Sequence, residues 1–247
     1  RPGVCYCRGE RKMKIDRRKF LYLSGASISA VLFSACDSEG PDFTRGLLRF
    51  VQRQNEKVER ALFRHRAIDI GKGHLAGDAL PQYYISDMVP VWDESVFGKW
   101  ALEITGSVRR MLRLTLEDLM KLPSVTHRVN HYCVEGWTAT TEWTGVRVSY
   151  LAKMVGMMPD AEYVDFKSFD SGYHESWDIE SAMHPQTLVV YGHEGRLLEP
   201  GYGAPARLHS PIKLGYKSTK YLTQIVFLPY RTGGYWSDQG YDWYAGT

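Results

Sequence analysis

The chain has 247 residues, of which 44% are hydrophobic, 24% charged and 13% aromatic, and its formal net charge is +3. This composition predicts one globular domain with a substantial core, or at most two small ones. The positive charge does not support nucleic-acid binding. Residues 1–35 hold 8 Lys/Arg and 2 Asp/Glu, so the other 212 residues carry 23 basic and 26 acidic side chains.

The amino-terminal segment resembles an export signal. From Met13 the chain reads MKIDRRKFLYLSGASISAVLFSAC, in which basic residues precede 16 mostly apolar or small residues that end before Cys36. Sixteen residues are few for a bilayer span, whereas an ordinary buried helix with a basic flank is the alternative. Arg17-Arg18 resembles a twin-arginine signal, and LFSAC resembles a lipoprotein site that would place a lipid on Cys36. We predict that residues 1–36 are upstream residues plus this signal.

Residues 37–66 are predicted to be a polar tether followed by an amphipathic helix, which Thr44 begins. A further helix is predicted at 115–122, where Thr115 is the N-cap and Asp118 completes a capping box. Other short helices are predicted at 149–156 and 178–184. Strands are predicted at 100–108, 162–169, 187–195, 205–211 and 221–229, and residues 67–93 as irregular. Residues 67–247 are therefore expected to form a single strand-rich α+β domain with function in its loops.

Cys133 is the only cysteine of the chain after Cys36. In an exported domain it has no intramolecular disulfide partner. Nucleophilic use would need a base within reach, and His131 lies two residues away, whereas zinc would need two or three further ligands. One thiolate can instead anchor a metal whose other ligands belong to an organic cofactor. An inert buried cysteine remains the alternative.

A second feature is the basic, glycine-containing run over 202–222. Four cations, Arg207, Lys213, Lys217 and Lys220, fall within 14 residues, among glycines and hydroxyl side chains. This pattern predicts an anion cradle, for which a solvated basic edge is the alternative. A thiolate together with such a cradle suggests a phosphorylated cofactor that bears a metal.

Three stretches resemble the sulfite oxidase superfamily of molybdopterin enzymes. They are YCVEGWTATTEWTGVRVSYLAKM, the segment from SAMHPQTLVVYGHEG to STKYLTQIVFL, and GGYWSDQGYDWYAG. The similarity extends over about residues 80–245 and is greatest to the exported bacterial branch that contains periplasmic methionine sulfoxide reductases. It implies a strand-rich molybdopterin-binding fold, with molybdenum and molybdopterin as cofactors.

The resemblance also assigns site residues. It implies that Cys133 is the molybdenum ligand, that Glu135 lies close to the metal, and that Arg207 binds the cofactor phosphate. His131 is expected to be a tuner, a proton handler or a structural residue. The other implied cofactor contacts are Tyr84, Asp87, Met88, Ser168, Tyr202, Ser218, Thr219 and Lys220. Ser86 stands where sulfite oxidases carry a substrate-binding arginine, and Tyr202 stands where the family usually has His or Asn.

The function implied is two-electron oxygen-atom transfer. Because Ser86 replaces the arginine, we expect reduction of S- or N-oxides such as methionine sulfoxide, small or protein-bound. Sulfite oxidation with cytochrome c, or a cofactor-free binding lipoprotein, are the alternatives. The chain ends soon after WYAGT, so electrons are expected to come from a separate haem partner, a cytochrome c or a membrane haem subunit. Folded export implies a location in the periplasm or on the outer face of the cell membrane, and it suits a cofactor inserted before transport.

Overall fold

A computed structural model of the chain describes residues 42–63, 68–72, 75–76, 79–170 and 172–247. The chain divides into two compact units, Arg1–Asn55 and Glu56–Thr247. Helix α1 (Asp42–Leu62) begins in the first unit and ends in the second, and it corresponds to the helix predicted over 44–66. The predicted signal, including Cys36, lies outside the described residues. The remaining elements belong to the second unit.

Within the described residues, six strands form the first sheet. They are β1 (Leu75–Ala76), β4 (Ser124–Tyr132), β5 (Thr138–Arg147), β8 (Leu188–His193), β9 (Arg196–Leu197) and β10 (Arg207–His209). The order is β1-β5-β8-β10, with β4 paired to β5 and β9 to β8. All these pairs are antiparallel except β1 with β5. Close packing of β5 on β8 requires Gly145, because a Cβ there would lie 2.2 Å from the Val189 carbonyl oxygen.

A second sheet has five described strands in the order β3-β2-β11-β6-β7. They are β2 (Ala101–Gly106), β3 (Leu112–Thr115), β6 (Tyr163–Ser168), β7 (His174–Asp178) and β11 (Leu222–Leu228). The short helices are α2 (Glu94–Phe97), α3 (Leu116–Lys121), α4 (Val148–Val155) and α5 (Ile179–Ala182). Single 3-10 turns occupy Pro200–Tyr202, Gly215–Lys217 and Ser237–Gln239.

The larger hydrophobic core unites the two sheets. It contains Ile104, Phe166 and Ile225 from the second sheet and Val189 and Leu208 from the first, and each of these side chains is fully buried. Burial of a side chain of this size stabilises the fold by about 1.5–3 kcal/mol. The core therefore fixes the two sheets against each other, and the loops at their ends with them.

The strand-rich α+β fold was predicted correctly, as were α3, α4 and α5 and the reciprocal capping box of Thr115 and Asp118, whereas helix α2 was not predicted. The β4–β5 hairpin, β3 and β7 were not predicted as strands. The hairpin was missed because several of its buried positions are polar: Asn130, Thr140 and Thr141 are all buried. Polar residues on an inward face hide the alternation that identifies a half-buried strand.

Candidate active site

A cavity of about 420 Å³ lies at the ends of both sheets. Its walls come from the segment 80–85, the end of β4 and the β4–β5 turn, the end of β6 and the loop after it, β10, the segment 215–221 before β11, and the carboxy-terminal segment. Eight of the predicted site residues line it: Tyr84, His131, Cys133, Glu135, Ser168, Arg207, Ser218 and Lys220. The fold thus brings together side chains that are up to 136 positions apart in sequence.

Cys133 is a free, partly exposed thiol on the turn between β4 and β5. The turn is closed by its own backbone, since the Cys133 amide donates to Trp137 O and the Gly136 amide donates to Cys133 O, both at 3.0 Å. Burial, and to a lesser degree the charge of Glu135, raises the pKa of the Cys133 thiol. The thiol therefore keeps its proton in the absence of metal, and metal binding would displace that proton.

The Glu135 carboxylate is held next to that thiol. Its Oε2 accepts hydrogen bonds from Tyr83 OH and from Trp137 Nε1, each at 2.9 Å, and lies 3.9 Å from Cys133 Sγ. The hydrogen bonds from Trp137 and Tyr83 lower the pKa of Glu135, so it is anionic. Tyr83 was missed by the sequence analysis, which singled out its neighbour Tyr84.

His131 is packed between aromatic rings. Its ring centroid lies 5.9 Å from that of Trp137 and 5.5 Å from that of His209. Burial, together with the smaller effect of the charges of Arg207 and Lys220, lowers the pKa of His131 to about 3. His131 is therefore neutral near pH 7 and cannot serve there as a cationic acid.

Two cations at the cavity, the buried Arg207 and the half-buried Lys220, have no carboxylate within 4.0 Å among the described residues. Arg207 donates to backbone carbonyls, at 3.0 Å to Tyr202 O and 3.3 Å to Leu208 O. Lys220 Nζ likewise donates to Tyr83 O at 2.6 Å and to Gly201 O at 2.8 Å. Burial lowers the pKa of Arg207 to about 10 and that of Lys220 to about 6. Buried cations without a counter-charge favour an anionic ligand.

Lys213 and Lys217, by contrast, do not belong to the cradle that the sequence predicted. Lys213 Nζ lies 3.0 Å from Asp178 Oδ1, and Lys217 Nζ contacts Glu175 Oε2. Neither lysine lines the cavity. The prediction of an anion cradle is therefore wrong for Lys213 and Lys217, because acids on β7 neutralise both lysines.

Three hydroxyl groups near the unpaired cations also lack partners. Ser218 Oγ, Thr219 Oγ1 and Tyr221 OH are buried and have no hydrogen-bond partner in the part of the chain that is described. Ser218 and Tyr221 line the cavity. Tyr221 has φ +55°, a left-handed conformation that is rare for a non-glycine residue and occurs at functional sites. No motif in the sequence pointed to Tyr221.

Four predicted cofactor contacts lie outside the cavity lining: Asp87, Met88, Tyr202 and Thr219. Met88 is 79% exposed, whereas Tyr202 is buried with its ring centroid 4.4 Å from that of His193. The backbone carbonyl oxygen of Tyr202 accepts a hydrogen bond from Arg207. Their roles as cofactor contacts stay predictions.

Ser86 has a partner that the sequence did not reveal. Its hydroxyl donates to Asp170 Oδ1, and the Ile85 amide donates to Asp170 Oδ2 at 3.1 Å. Asp170 is buried at the cavity wall. Asp170 therefore holds the segment 83–88, which the resemblance associates with the cofactor. It also engages the hydroxyl of Ser86, the residue that stands in place of an arginine.

The donor set fits a metal-bearing pterin phosphate. One free thiol, two unpaired cations and two unpartnered hydroxyls face one cavity. No cluster of three His, Cys, Asp or Glu side chains that could hold a metal occurs among the described residues. A single thiolate with a phosphate cradle is the arrangement expected of a molybdopterin-binding oxidoreductase.

Comparison with known proteins agrees with this class. Residues 88–236 match the family described as the oxidoreductase molybdopterin binding domain, and the chain belongs to that family. Its cofactors are therefore molybdenum and molybdopterin, and the chain is a molybdenum-dependent oxidoreductase.

The chain is also similar to two named relatives and to one solved structure. It is 35% identical over 234 residues to the putative protein-methionine-sulfoxide reductase subunit YedZ1 of Azospira oryzae, covering 94% of this chain and 88% of that protein. It is 30% identical over 165 residues to the catalytic subunit MsrP of Campylobacter jejuni protein-methionine-sulfoxide reductase, covering 59% and 56%. The chain thus spans about half the length of that relative. The sulfane dehydrogenase SoxCD of Paracoccus pantotrophus has a similar fold, with a TM-score of 0.50 and 23% identity over 53% of this chain and 38% of that one.

Proposed function

We propose that this oxidoreductase reduces sulfoxides, with methionine sulfoxide as its substrate class. The observation that supports this most directly is the composition of the cavity, in which Cys133 and Glu135 face the same space as the unpaired Arg207 and Lys220. The names of the two methionine-sulfoxide reductase relatives point the same way.

Each side chain has a defined task in this proposal. Bound molybdenum supplies two-electron oxygen-atom transfer, and the protein supplies binding and orientation. Cys133 holds the metal through Sγ, while Arg207 and Lys220 bind the phosphate with Ser218 and Tyr221 beside them. Glu135 stays anionic because Trp137 and Tyr83 donate hydrogen bonds to it, and it therefore places a fixed negative charge close to Cys133.

The cavity suits a neutral oxide better than sulfite. Its lining cations are Arg207 and Lys220, which the cofactor phosphate uses, and Ser86 is engaged by Asp170. Sulfite is an anion and would need a further positive group. Aromatic rings of Trp236 and Tyr241 line the same cavity, and aromatic rings make favourable contacts with sulfur-bearing side chains such as methionine.

Two assays on the same preparation test this proposal. Methionine sulfoxide with reduced viologen should turn over, and sulfite with oxidised cytochrome c should not. Turnover of sulfite alone would reverse the assignment. Protein from a molybdenum-replete host should contain close to one molybdenum per chain, and a content below about a tenth would exclude both reactions and favour a cofactor-free binding protein.

The ligand assignment has its own test. Cys133→Ser should abolish turnover, because a hydroxyl does not replace a soft thiolate as a metal ligand, while the thermal unfolding midpoint of the metal-free protein stays within a few degrees. Val96→Ser, which places the same side chain at an exposed valine outside the cavity lining, should retain activity. Full activity in Cys133→Ser would contradict the assignment.

We further propose that the protein is exported folded by the twin-arginine route and that Cys36 carries a lipid. A separate haem protein would deliver the electrons, and residues 67–247 would form the single catalytic domain. No helix among the described residues is long and apolar enough to cross a membrane. Arg17→Lys with Arg18→Lys should leave the protein in the cytoplasmic fraction, and Cys36→Ser should remove labelling by radioactive palmitate.

A further inference from the structure

One chain of contacts joins the two ends of the cavity through Tyr83. At one end the Tyr83 hydroxyl donates to Glu135 Oε2 at 2.9 Å, and that oxygen lies 3.9 Å from Cys133 Sγ. At the other end the Tyr83 carbonyl oxygen accepts a hydrogen bond from Lys220 Nζ at 2.6 Å. A single residue therefore connects the thiol of the cavity with one of the two cations that have no acid beside them.

Tyr83 belongs to a segment without regular secondary structure that is held at several points. We call residues 80–86 the strap. Leu80 is buried in a hydrophobic cluster with side chains of the first sheet. The Gln82 side chain lies against Gly201, where a Cβ would be 1.9 Å from Gln82 Oε1. Asp170 accepts two hydrogen bonds from the other end of the strap. The strap therefore gives the Tyr83 side chain a fixed base.

The hydrogen bond from Tyr83 to Glu135 contributes position rather than stability. Tyr83 is 53% exposed, and Glu135 is exposed as well. Both groups could bond to water instead, so the contact adds little to the stability of the fold. It does fix the carboxylate, because Trp137 Nε1 donates to the same oxygen at 2.9 Å. Glu135 Oε1 accepts no hydrogen bond in the described part of the chain, so this oxygen is left for a ligand.

We propose that Tyr83 is a positioning residue that, anchored by Lys220, holds the Glu135 carboxylate beside Cys133. This inference rests on the proposed function for the use of Glu135 in the reaction. Groups next to a metal ligand need such support, since a misplacement of about 1 Å can cost about 100-fold in rate.

Lys220 can anchor Tyr83 and bind an anion at the same time. A lysine ammonium group has three N–H donors. Two of them have partners among the described residues, the carbonyl oxygens of Tyr83 and Gly201. The third donor is left for the phosphate of the cofactor, so cofactor binding does not require Lys220 to release Tyr83.

Hydrogen–deuterium exchange of the metal-free protein tests this link without substrate or cofactor. Tyr83→Phe keeps the ring and the backbone carbonyl and removes only the hydroxyl. We expect at least about threefold faster exchange in the turn 133–137, where two of the amides are hydrogen-bonded. Lys220→Met should have the same effect on that turn, and the double variant should have no larger effect than either single variant.

The matched control is Tyr230→Phe, at an exposed tyrosine outside the cavity lining, which should not change exchange in the turn 133–137. Unchanged exchange there in Tyr83→Phe would overturn the proposal. Additive effects of Tyr83→Phe and Lys220→Met would also overturn it, because the two residues would then act independently.

Steady-state kinetics of the molybdenum-loaded enzyme test whether the reaction uses this position. Tyr83→Phe should lower kcat for methionine sulfoxide by about tenfold and leave the molybdenum content unchanged. KM should change less than about twofold, because the lost interaction supports the transition state and not substrate binding. Replacement of Tyr83 by p-aminophenylalanine supplies a donor at the same place and should restore most of kcat. In the Glu135→Gln enzyme, Tyr83→Phe should have no further effect.

The two experiments separate this inference from the proposed function. A wild-type enzyme that does not reduce methionine sulfoxide would refute the proposed function, whereas the exchange in the turn 133–137 would still decide whether Tyr83 holds Glu135. In an active enzyme, an unchanged kcat in Tyr83→Phe, or a loss that p-aminophenylalanine does not restore, would contradict the role of the Tyr83 hydroxyl.

Discussion

Two pairs of cations in the same 14-residue run have opposite fates. Lys213 and Lys217 face acids on β7, whereas Arg207 and Lys220 face the cavity and donate to backbone carbonyls. The first pair belongs to the structure, because Lys213 Nζ also donates to Tyr244 O at 2.6 Å and the Glu175 partner of Lys217 accepts from Trp236 N at 3.0 Å. These contacts fasten the carboxy-terminal segment to the second sheet.

The difference shows how a ligand site can be recognised without its ligand. A buried cation with an acid beside it is already compensated, whereas a buried cation without one is destabilising until an anion arrives. Burial depresses the pKa of Lys213 to about 8 and that of Lys220 to about 6, although Asp178 opposes the shift for Lys213. Arg207 and Lys220 therefore lower the stability of the protein without cofactor, and binding of an anionic cofactor can restore it.

The largest effect on stability is expected when one of the two cations paired with an acid is removed. Lys217→Met leaves the Glu175 charge buried without its cation, and we expect a loss of about 3–5 kcal/mol in the free energy of unfolding. Urea denaturation of the metal-free protein measures it. Lys217→Met with Glu175→Gln should regain part of that loss, and a single-variant loss below about 1 kcal/mol would show that the pair is not structural.

Removal of a cation that has no acid beside it should weaken cofactor binding and leave the stability of the metal-free protein unchanged. Lys220→Met should weaken cofactor binding about 10- to 100-fold, the value of a charge-assisted hydrogen bond of about 1.5–3 kcal/mol, without lowering the stability of the metal-free protein. Molybdenum retained after dialysis, and the unfolding midpoint of the metal-free form, give the two readouts. Lys167→Met, at an exposed lysine, is the control and should alter neither.

The pH dependence sharpens the same contrast. The pKa of Lys220 in the folded protein is about 6, below its ordinary value of about 10.4 in an unfolded chain. Between these values the unfolded state holds more protons, so this residue makes the metal-free protein more stable as pH rises. From pH 7 to 9 the native protein should gain up to about 2.7 kcal/mol over Lys220→Met, since each pH unit is worth about 1.36 kcal/mol for one proton, measured by urea denaturation at each pH. An equal pH dependence in the two proteins would mean that the pKa of Lys220 is not lowered in the folded protein.

The smallest effect is expected at the unpartnered hydroxyl. Tyr221→Phe should leave the stability of the metal-free protein unchanged, because the hydroxyl has no described partner, and should weaken cofactor retention about 2- to 10-fold, in line with about 0.5–1.5 kcal/mol for a neutral hydrogen bond. Tyr150→Phe, at a partly exposed tyrosine of α4 away from the cavity, is the matched control. A loss of stability in Tyr221→Phe would assign its hydroxyl a structural role instead.

Much of the fold was predictable where the hydrophobic pattern was regular. The strands of β6, β8 and β11 alternate or are continuously apolar, and the Thr115 capping box is local in sequence. The β4–β5 hairpin was not predictable in this way, since it buries polar residues such as Thr141, whose Oγ1 lies 2.7 Å from His193 Nε2. Such burial depends on a partner 52 positions away.

The sequence by itself determined the chemistry of this protein: one thiol after the predicted signal, at Cys133, a basic run over 202–222, and motifs that identify a molybdopterin enzyme. Only the tertiary structure decided which cations of that run remain without an acid, and that Tyr83 and Trp137 hold Glu135. The physical reason is that partners such as Lys213 and Asp178, or Tyr83 and Glu135, are separated by 35 and 52 positions. Sequence patterns report on local periodicity, whereas charge compensation depends on which sheet edges the core brings together.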